Sequence, residues 1–326
     1  MDRDQPREAG AVAVRRVPPL VRRWPAPPAR QGRPAPLARA RARTGFLLTA
    51  PALILVSVFF VLPLVLVCWM SLHNWPLFGA TKFTGLHNYN QLLHDRTFGD
   101  SLLFTAEYTA IVTPIQIVLG YLLAVMVRHR LRGVGFFRTV FFMPVVVGFA
   151  ATAYVFLIML TPGTGVINAI GHALGLSNGQ TNWLASPGLG LLVTVVLLTW
   201  KTVGIAMILF MAGMQAVPEE LHEAAKVDGA GWWKREYKVT LPLIRRTTAL
   251  VLVLTVAGAI LSFDQFFILT HGGPDNATLT AVLWIYTVAF FQYRFGYAAA
   301  LSIVLLLLLI LLSVAQIRAL RGGDSG

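Results

Sequence analysis

The sequence is short of cysteine, of charge and of nucleotide-binding motifs, and each shortage excludes a class of protein. Cys68 is the only cysteine, so a disulfide framework or a cysteine-rich metal site cannot form. Charged residues make up 13% of the 326 residues and hydrophobic residues 56%, which excludes an ordinary soluble domain. The pattern G-x-x-x-x-G-K-[ST] is missing, so this sequence lacks the usual phosphate loop of ATPases.

What the sequence does have is long apolar segments. Six are long enough to cross about 30 Å of hydrocarbon at about 1.5 Å per helical residue. They cover approximately residues 46–70, 103–127, 139–160, 189–214, 248–270 and 297–317. We therefore predict an all-α, polytopic membrane protein with six transmembrane helices. The apolar stretch 278–295 is expected to form an external or partly re-entrant helix.

Basic residues are unevenly placed along the chain. Of the 27 Lys and Arg residues, the loops 71–102, 161–188 and 271–296 hold only Lys82, Arg96 and Arg294. The positive-inside rule then places both termini, and the loops after the second and fourth spans, in the cytoplasm. Topology accounts for the net charge of +13, so we expect no nucleic-acid partner.

The composition divides the chain into three parts. Residues 1–43 are rich in Arg, Pro and Ala and are predicted to be a disordered basic cytoplasmic tail. Residues 44–320 form a six-helix transmembrane domain, and its first span is an uncleaved helix rather than a signal peptide. Residues 321–326 form a short cytoplasmic tail.

The loop 215–242 contains an amphipathic, charged stretch, EAAKVDGAGWWKREYKVTLP, at 223–242. Pro218 is suited to start a short helix on which Leu221, Ala224 and Ala225 share one face. Gly229 can adopt the left-handed backbone conformation that ends a helix. The small-residue face can serve as a docking surface for another protein, or the loop can be an interfacial connector without a partner.

A second short helix is predicted at about 231–239. It carries Trp232, Trp233 and Tyr237 beside basic residues, a mixture suited to the membrane–water interface. Leu241-Pro242 is expected to end it before the fifth span begins.

The stretch resembles the EAA loop in the inner-membrane permease subunits of binding-protein-dependent ABC importers. The resemblance is carried by Glu223-Ala224-Ala225, Asp228-Gly229-Ala230 and Leu241-Pro242 at the family's spacing. Segments 83–95, 137–144, 165–184 and 263–278 are similar to the sugar-type branch of that family, so the likeness covers about 44–320. Two residues depart from it. Glu236 stands where an aromatic residue is usual, with Tyr237 as its expected replacement, and Arg246 stands where proline is frequent.

The resemblance implies a type I ABC importer permease fold in the inner (plasma) membrane. It also implies a heterodimer with a second permease, two ABC ATPase subunits that bind ATP and Mg, and an extracytoplasmic solute-binding protein. This chain would then carry no catalytic site, cofactor or metal, and would form half of a pathway for a sugar or sugar-like solute. The residues assigned to ATPase coupling are Glu223, Ala224, Ala225, Asp228, Gly229, Ala230, Leu241 and Pro242.

Polar and aromatic residues inside the spans, together with a glycine near one of them, are candidates for the translocation pathway. They are Trp200, Lys201, Gly204, Phe263, Asp264 and Gln265. A charge at a span centre costs about 2.5–3.5 kcal/mol on insertion scales. Lys201 therefore either faces a cavity or has a structural role. Asp264 either lines a cavity or forms a structural hydrogen bond with the Gly-Gly-Pro loop, HGGPDN at 271–276. The aromatic residues either bind solute or pack against other helices.

Two other classes remain as alternatives, a stand-alone secondary transporter or channel and a membrane-embedded enzyme. The first is opposed by the lack of an intramembrane acidic relay and of a visible inverted repeat in the sequence. The second is opposed by the lack of a coherent acid–base or metal-ligand pattern in the sequence. Co-purification with an ATPase separates an importer subunit from both.

Overall fold

The computed structural model describes residues 36–128, 133–175 and 177–321. The chain divides into two compact units, residues 1–59 and 60–326. The first unit contains helix α1, Pro36–Val56, which begins inside the range predicted as a tail. Alanine and arginine are strong helix formers, and the run ARARAR at 38–43 explains the earlier start. The predicted tail segments 1–35 and 322–326 lie outside the described residues.

The second unit is built mainly of helices. They are α2 (Leu62–Ser71), α3 (His87–Leu93), α4 (Arg96–Val127), α5 (Val134–Val146), α6 (Phe149–Met159), α7 (Val166–Ala173), α8 (Pro187–Gln215), α9 (Glu219–Val227), α10 (Trp232–Arg235), α11 (Leu241–Leu243), α12 (Arg245–Ile260), α13 (Ala281–Phe290) and α14 (Phe295–Arg321). Three π-helical turns, Ser57–Val61, Glu236–Thr240 and Phe266–Thr270, interrupt the described helices. A short antiparallel hairpin pairs β1 (His73–Asn74) with β2 (Lys82–Phe83).

Four helical segments of the described chain are long and apolar enough to cross a membrane. They are Thr44–Ser71, Arg96–Val127, Pro187–Gln215 and Phe295–Leu320. Two bent pairs, α5 with α6 and α10–α11 with α12, raise the count to six if each pair is one span. The all-α, multi-span fold class predicted from the sequence is confirmed.

The predicted span 139–160 is not one helix. Helices α5 and α6 meet at an angle of 97°. Val147 and Gly148 between them are extended, with ψ of 137° and 147°. Pro144 lacks an N–H and cannot donate to the previous turn, which weakens the end of α5. The chain therefore turns sharply where we expected it to continue.

The predicted span 248–270 also ends early. Helix α12 stops at Ile260, and Leu261 is its C-cap. The carbonyl of Ser262, just after the helix, accepts a hydrogen bond of 3.2 Å from the hydroxyl of Thr280. A residue distant in sequence therefore replaces the hydrogen bond that this carbonyl would have made within a helix. The chain becomes helical again at Asp264 and continues into the π turn Phe266–Thr270.

The apolar stretch 278–295 is helical, as predicted, over Ala281–Phe290. The hydroxyl of Thr280 caps it by accepting a bond of 3.2 Å from the N–H of Leu283. The N–H of Ala281 donates to the hydroxyl of Thr105 in α4 at 2.9 Å, which ties α13 to a long span. Its depth in the membrane stays a prediction.

Helices α4 and α8 form the centre of the second unit. They approach closely because Gly120 faces Ala206, where an added Cβ would lie 2.6 Å from the Ala206 side chain. Near the C-terminal ends of both helices, a buried cluster joins Ala124 and Phe210 to Ile244 and Val251. This cluster fixes the spans that bracket the loop 215–242.

Candidate functional site

Helix α9 and Gly229 form the elbow of the loop. Gly229 has a φ of +73°, in the left-handed region where a side chain is disfavoured. Its N–H donates to the carbonyl of Lys226 at 3.0 Å, and the N–H of Ala230 donates to that of Ala225 at 2.9 Å. These two bonds make a Schellman motif. The predicted glycine stop is therefore present, and the helix begins at Glu219, one position after the predicted Pro218.

The first half of the loop presents its side chains to the surroundings. None of the residues of α9, Glu219–Val227, is buried. Glu223, Ala224, Asp228 and Gly229 are exposed, and Ala225 and Ala230 are half-buried. Acidic residues occupy the first turn and Lys226 the last, which complements the helix dipole. The structure thus leaves the predicted coupling surface open to a partner.

The second half of the loop is longer than predicted. Helical structure continues through α10, a π turn and α11 to Leu243, and the bend of 74° to α12 falls at Ile244. The prediction that Leu241-Pro242 ends the helix is wrong. Pro242 lies in the first turn of α11, directly after the wider π turn that accommodates its missing N–H. Leu241 and Pro242 are both exposed.

Glu236 is the anchor of this second half. It is 5% exposed, and one carboxylate oxygen forms an ion pair with Arg128 at the end of α4. The other oxygen accepts a hydrogen bond of 2.9 Å from the hydroxyl of Tyr121. Tyr237, expected to be the aromatic anchor, is 72% exposed. The sequence did show a charged residue where the family usually has an aromatic one, and this was the only sign that Glu236 has a special role. Its partners could not be predicted, because they lie more than a hundred residues earlier in the chain.

Lys201 is buried beside the break between α5 and α6. Its ammonium group donates to the carbonyl of Pro144 at 3.0 Å and contacts the carbonyl oxygen of Val147. It also lies 4.6 Å from the ring centre of Phe149. These carbonyls lose their helical partners where α5 ends, so a cation satisfies them. The geometry favours the structural alternative for Lys201.

The two neighbours of Lys201 in the predicted pathway set have different surroundings. Gly204 faces α5, and an added Cβ would lie 2.4 Å from the carbonyl oxygen of Phe141. Trp200 is about half exposed, and its ring lies 5.8 Å from that of Phe156 in α6. Gly204 therefore permits close packing, and Trp200 keeps an open face.

The predicted pathway residues after α12 lie near a buried aromatic group. Gln265 is buried and its side-chain amide donates to the hydroxyl of Tyr108 at 3.4 Å. Phe263 stacks on Phe267 with ring centres 5.2 Å apart. Asp264 is half-buried. Gln265 thus bonds to α4, whereas Lys201 bonds to the carbonyls at the break between α5 and α6, so these two polar side chains have different partners.

A pocket of about 290 Å³ lies among α4, α6, α8 and α12, and sequence reasoning did not find it. Its polar lining comes from Gln116, Thr202 and Thr255, and Phe149 adds an aromatic face. The amide of Gln116 donates to the hydroxyl of Thr202 at 2.7 Å. An aromatic surface with a few polar groups is typical of small-molecule sites.

The described structure is therefore that of a polytopic α-helical membrane protein, with a core of long helices and an exposed elbow between two of them. Solved structures that share this fold include a chain of a bacterial alginate ABC transporter in complex with an alginate-pentasaccharide-bound periplasmic protein. The TM-score is 0.77, with 20% identity over 88% of this chain and 97% of that one.

Sequence comparison identifies the family. The model for "Binding-protein-dependent transport system inner membrane component" matches residues 116–320, and the chain belongs to this family. It is 33% identical over 281 residues to the probable ABC transporter permease YurN of Bacillus subtilis, covering 85% of this chain and 96% of that protein. It is 34% identical over 267 residues to the trehalose/maltose permease MalF of Thermococcus litoralis, covering 81% and 88%. The sn-glycerol-3-phosphate permease UgpA of Escherichia coli is 33% identical over 281 residues, covering 85% and 94%.

Proposed function

We propose that this chain forms half of the translocation pathway of an ATP-driven importer for a sugar or sugar-like polyol. The observation that carries the proposal is the exposed helix α9 with its Gly229 elbow, a surface that the chain itself leaves uncovered. In this proposal a separate ATPase binds α9 and moves it when nucleotide closes the ATPase sites. ATP and Mg then belong to that partner.

The proposed assembly has a second permease, two ABC ATPases and an extracytoplasmic solute-binding protein. Both termini and the loop 215–242 lie in the cytoplasm, because basic residues concentrate there. The coupling contacts are assigned to Glu223, Ala224, Ala225, Asp228, Gly229, Ala230, Leu241 and Pro242. Glu223 is assigned to pairing with a basic residue of the ATPase.

Two observations support a polyhydroxylated solute. The relatives named above include permeases for trehalose/maltose and sn-glycerol-3-phosphate. The pocket lined by Gln116, Thr202, Thr255 and Phe149 offers polar groups beside an aromatic ring, the combination that suits a sugar. We assign the solute pathway to this pocket and retain Trp200, Phe263, Asp264 and Gln265 as predicted contributors.

The test is reconstitution of the complete complex and a screen of mono-, di- and oligosaccharides and glycerol phosphates for receptor-dependent ATP hydrolysis. Glu223→Lys reverses the charge of the docking helix and is expected to lower the stimulated rate by at least about tenfold. Asp100→Lys, a charge reversal at an exposed residue of α4, is the matched control. The proposal is overturned if the working complex contains no ATPase, or if Glu223→Lys keeps the full receptor-dependent stimulation of ATP hydrolysis.

A further inference from the structure

We propose that Glu236 is the residue through which movement of the loop 215–242 reaches the span α4. Its attachment points are Arg128 and Tyr121, and we call these three residues the Glu236 cluster. The inference rests on the proposed function, since it assumes that an ATPase moves the loop. It assigns a positioning role to a residue at which this sequence departs from the aromatic residue usual in the family.

The geometry of the Glu236 cluster suits a rigid connection. Each carboxylate oxygen has its own partner on α4, Arg128 on one side and the Tyr121 hydroxyl at 2.9 Å on the other. Two bonds to one carboxylate fix the direction of the side chain as well as its distance. The side chain of Glu236 is 6% exposed and that of Arg128 16%, so water competes weakly for these bonds.

The partners of Glu236 lie at the C-terminal end of α4, which is fixed by contacts with α8 and α5. Arg128 is the C-cap of α4, and Tyr121 lies about two turns earlier. The ring of Tyr121 packs edge-on against Phe210 of α8, with centres 5.7 Å apart. The guanidinium of Arg138 in α5 donates to the carbonyl of Val127 at 3.1 Å. A displacement of Glu236 is therefore applied to a packed helix end and not to a loose segment.

Neighbouring side chains of the loop make a poorer connection. Trp233, Tyr237 and Lys238 are exposed, and α9 has no buried residue. Because the loop follows directly on α8 and leads into α12 through Ile244, the covalent chain connects it to these two spans. The Glu236 cluster adds a connection to a third span, α4.

The experiment measures whether α4 responds to nucleotide through Glu236. Single cysteines are placed at exposed positions of α4 and on α9 in a Cys68→Ser background, within the complete reconstituted complex. The α4 positions are Leu103, Val118, Leu119, Leu122 and Met126. Labelling rates with a maleimide are compared without nucleotide and with MgATP plus orthovanadate, a probe that requires no knowledge of the solute.

Glu236→Gln keeps the size and the Tyr121 contact but removes the charge. We expect it to reduce the nucleotide-dependent change at the most responsive α4 position by about tenfold, while α9 still responds. Arg128→Lys keeps the charge and should retain most of the change. Lys238→Gln, which removes an exposed charge two positions away, is the matched control and should behave as the parent.

Several outcomes overturn the inference. They are an unchanged α4 response in Glu236→Gln, an α4 that does not respond in the parent while α9 does, and an equal loss in Lys238→Gln. If Glu236→Gln does not assemble, Tyr121→Phe carries the test, with a partial loss of the α4 response expected and no loss contradicting the role. Failure of the ATPase to co-purify with the parent complex, or an unresponsive α9, would instead refute the proposed function.

Discussion

The two bent helix pairs in the described part of the chain are held by charged side chains in different ways. The bend of 97° between α5 and α6 is held by Lys201 of α8, which donates to backbone carbonyls. The bend of 74° before α12 follows the segment anchored by Glu236, which pairs with Arg128 and accepts from Tyr121. In both, the charged group and its partners belong to different helices.

The comparison shows how a buried charge is satisfied in each setting. Lys201 lies within a long apolar helix and is compensated by the carbonyl dipoles at a helix C-terminus, where the dipole favours a cation. Glu236 lies in a loop rich in charge and has an opposite charge as its partner. The partners of Lys201 are backbone carbonyls, which a substitution cannot remove. The partner of Glu236 is a charged side chain, so the ion pair can be broken by a substitution of either residue.

The largest effect is expected for Lys201→Met, which removes the charge at similar length. The carbonyls at the end of α5 would lose a buried donor, and the free energy of unfolding should fall by about 3 kcal/mol. The measurement is SDS titration of the protein in mixed micelles. Lys82→Met, at an exposed lysine of β2, is the control and should change little. Equal stability of the two variants would remove Lys201 as the support of the first bend.

A smaller effect is expected for Gly204→Ala, which probes the same bend through packing. The new Cβ would lie 2.4 Å from the Phe141 carbonyl oxygen and 3.0 Å from the Phe142 Cα, so α5 must shift. We expect a loss of about 2 kcal/mol in the same titration. Gly188→Ala, in the same helix with nothing within 4 Å, should instead stabilise by up to about 1 kcal/mol. A gain in both variants would show that α5 and α8 are loosely packed.

The smallest effect is expected for Tyr121→Phe, which tests the second bend. The ring can keep its contact with Phe210, and Arg128 still pairs with Glu236, so only one hydrogen bond is lost. The free energy of unfolding should fall by about 1 kcal/mol. Tyr237→Phe, at an exposed ring of the same loop, should be neutral. No difference between them would mean that Arg128 alone holds Glu236.

Local sequence patterns were enough for much of the fold. Apolar length predicted the four spans that consist of a single helical segment, and Gly229 predicted the end of α9, because both depend on residues that are neighbours in the chain. The exposed small-residue face of α9 also followed from helical spacing. These features need no knowledge of tertiary contacts.

The two bends and the Glu236 cluster could not be obtained in the same way. Pro144 was visible, but the turn at Val147-Gly148 depends on Lys201, more than fifty residues later. Hydropathy counted 248–270 as apolar throughout and could not anticipate that Thr280 would bond the carbonyl of Ser262. The pocket around Gln116 and Thr202 likewise joins residues 86 positions apart.

Helix α9 has nine residues and buries none of them. Peptides of that length are barely helical in water, so little besides the Schellman turn and the favourable end charges keeps it wound. In the isolated subunit its amide protons should therefore exchange with solvent far faster than those of α4 or α8. The fraction of molecules in which the α9 amides exchange slowly would then measure the fraction of the permease that is assembled with its ATPase.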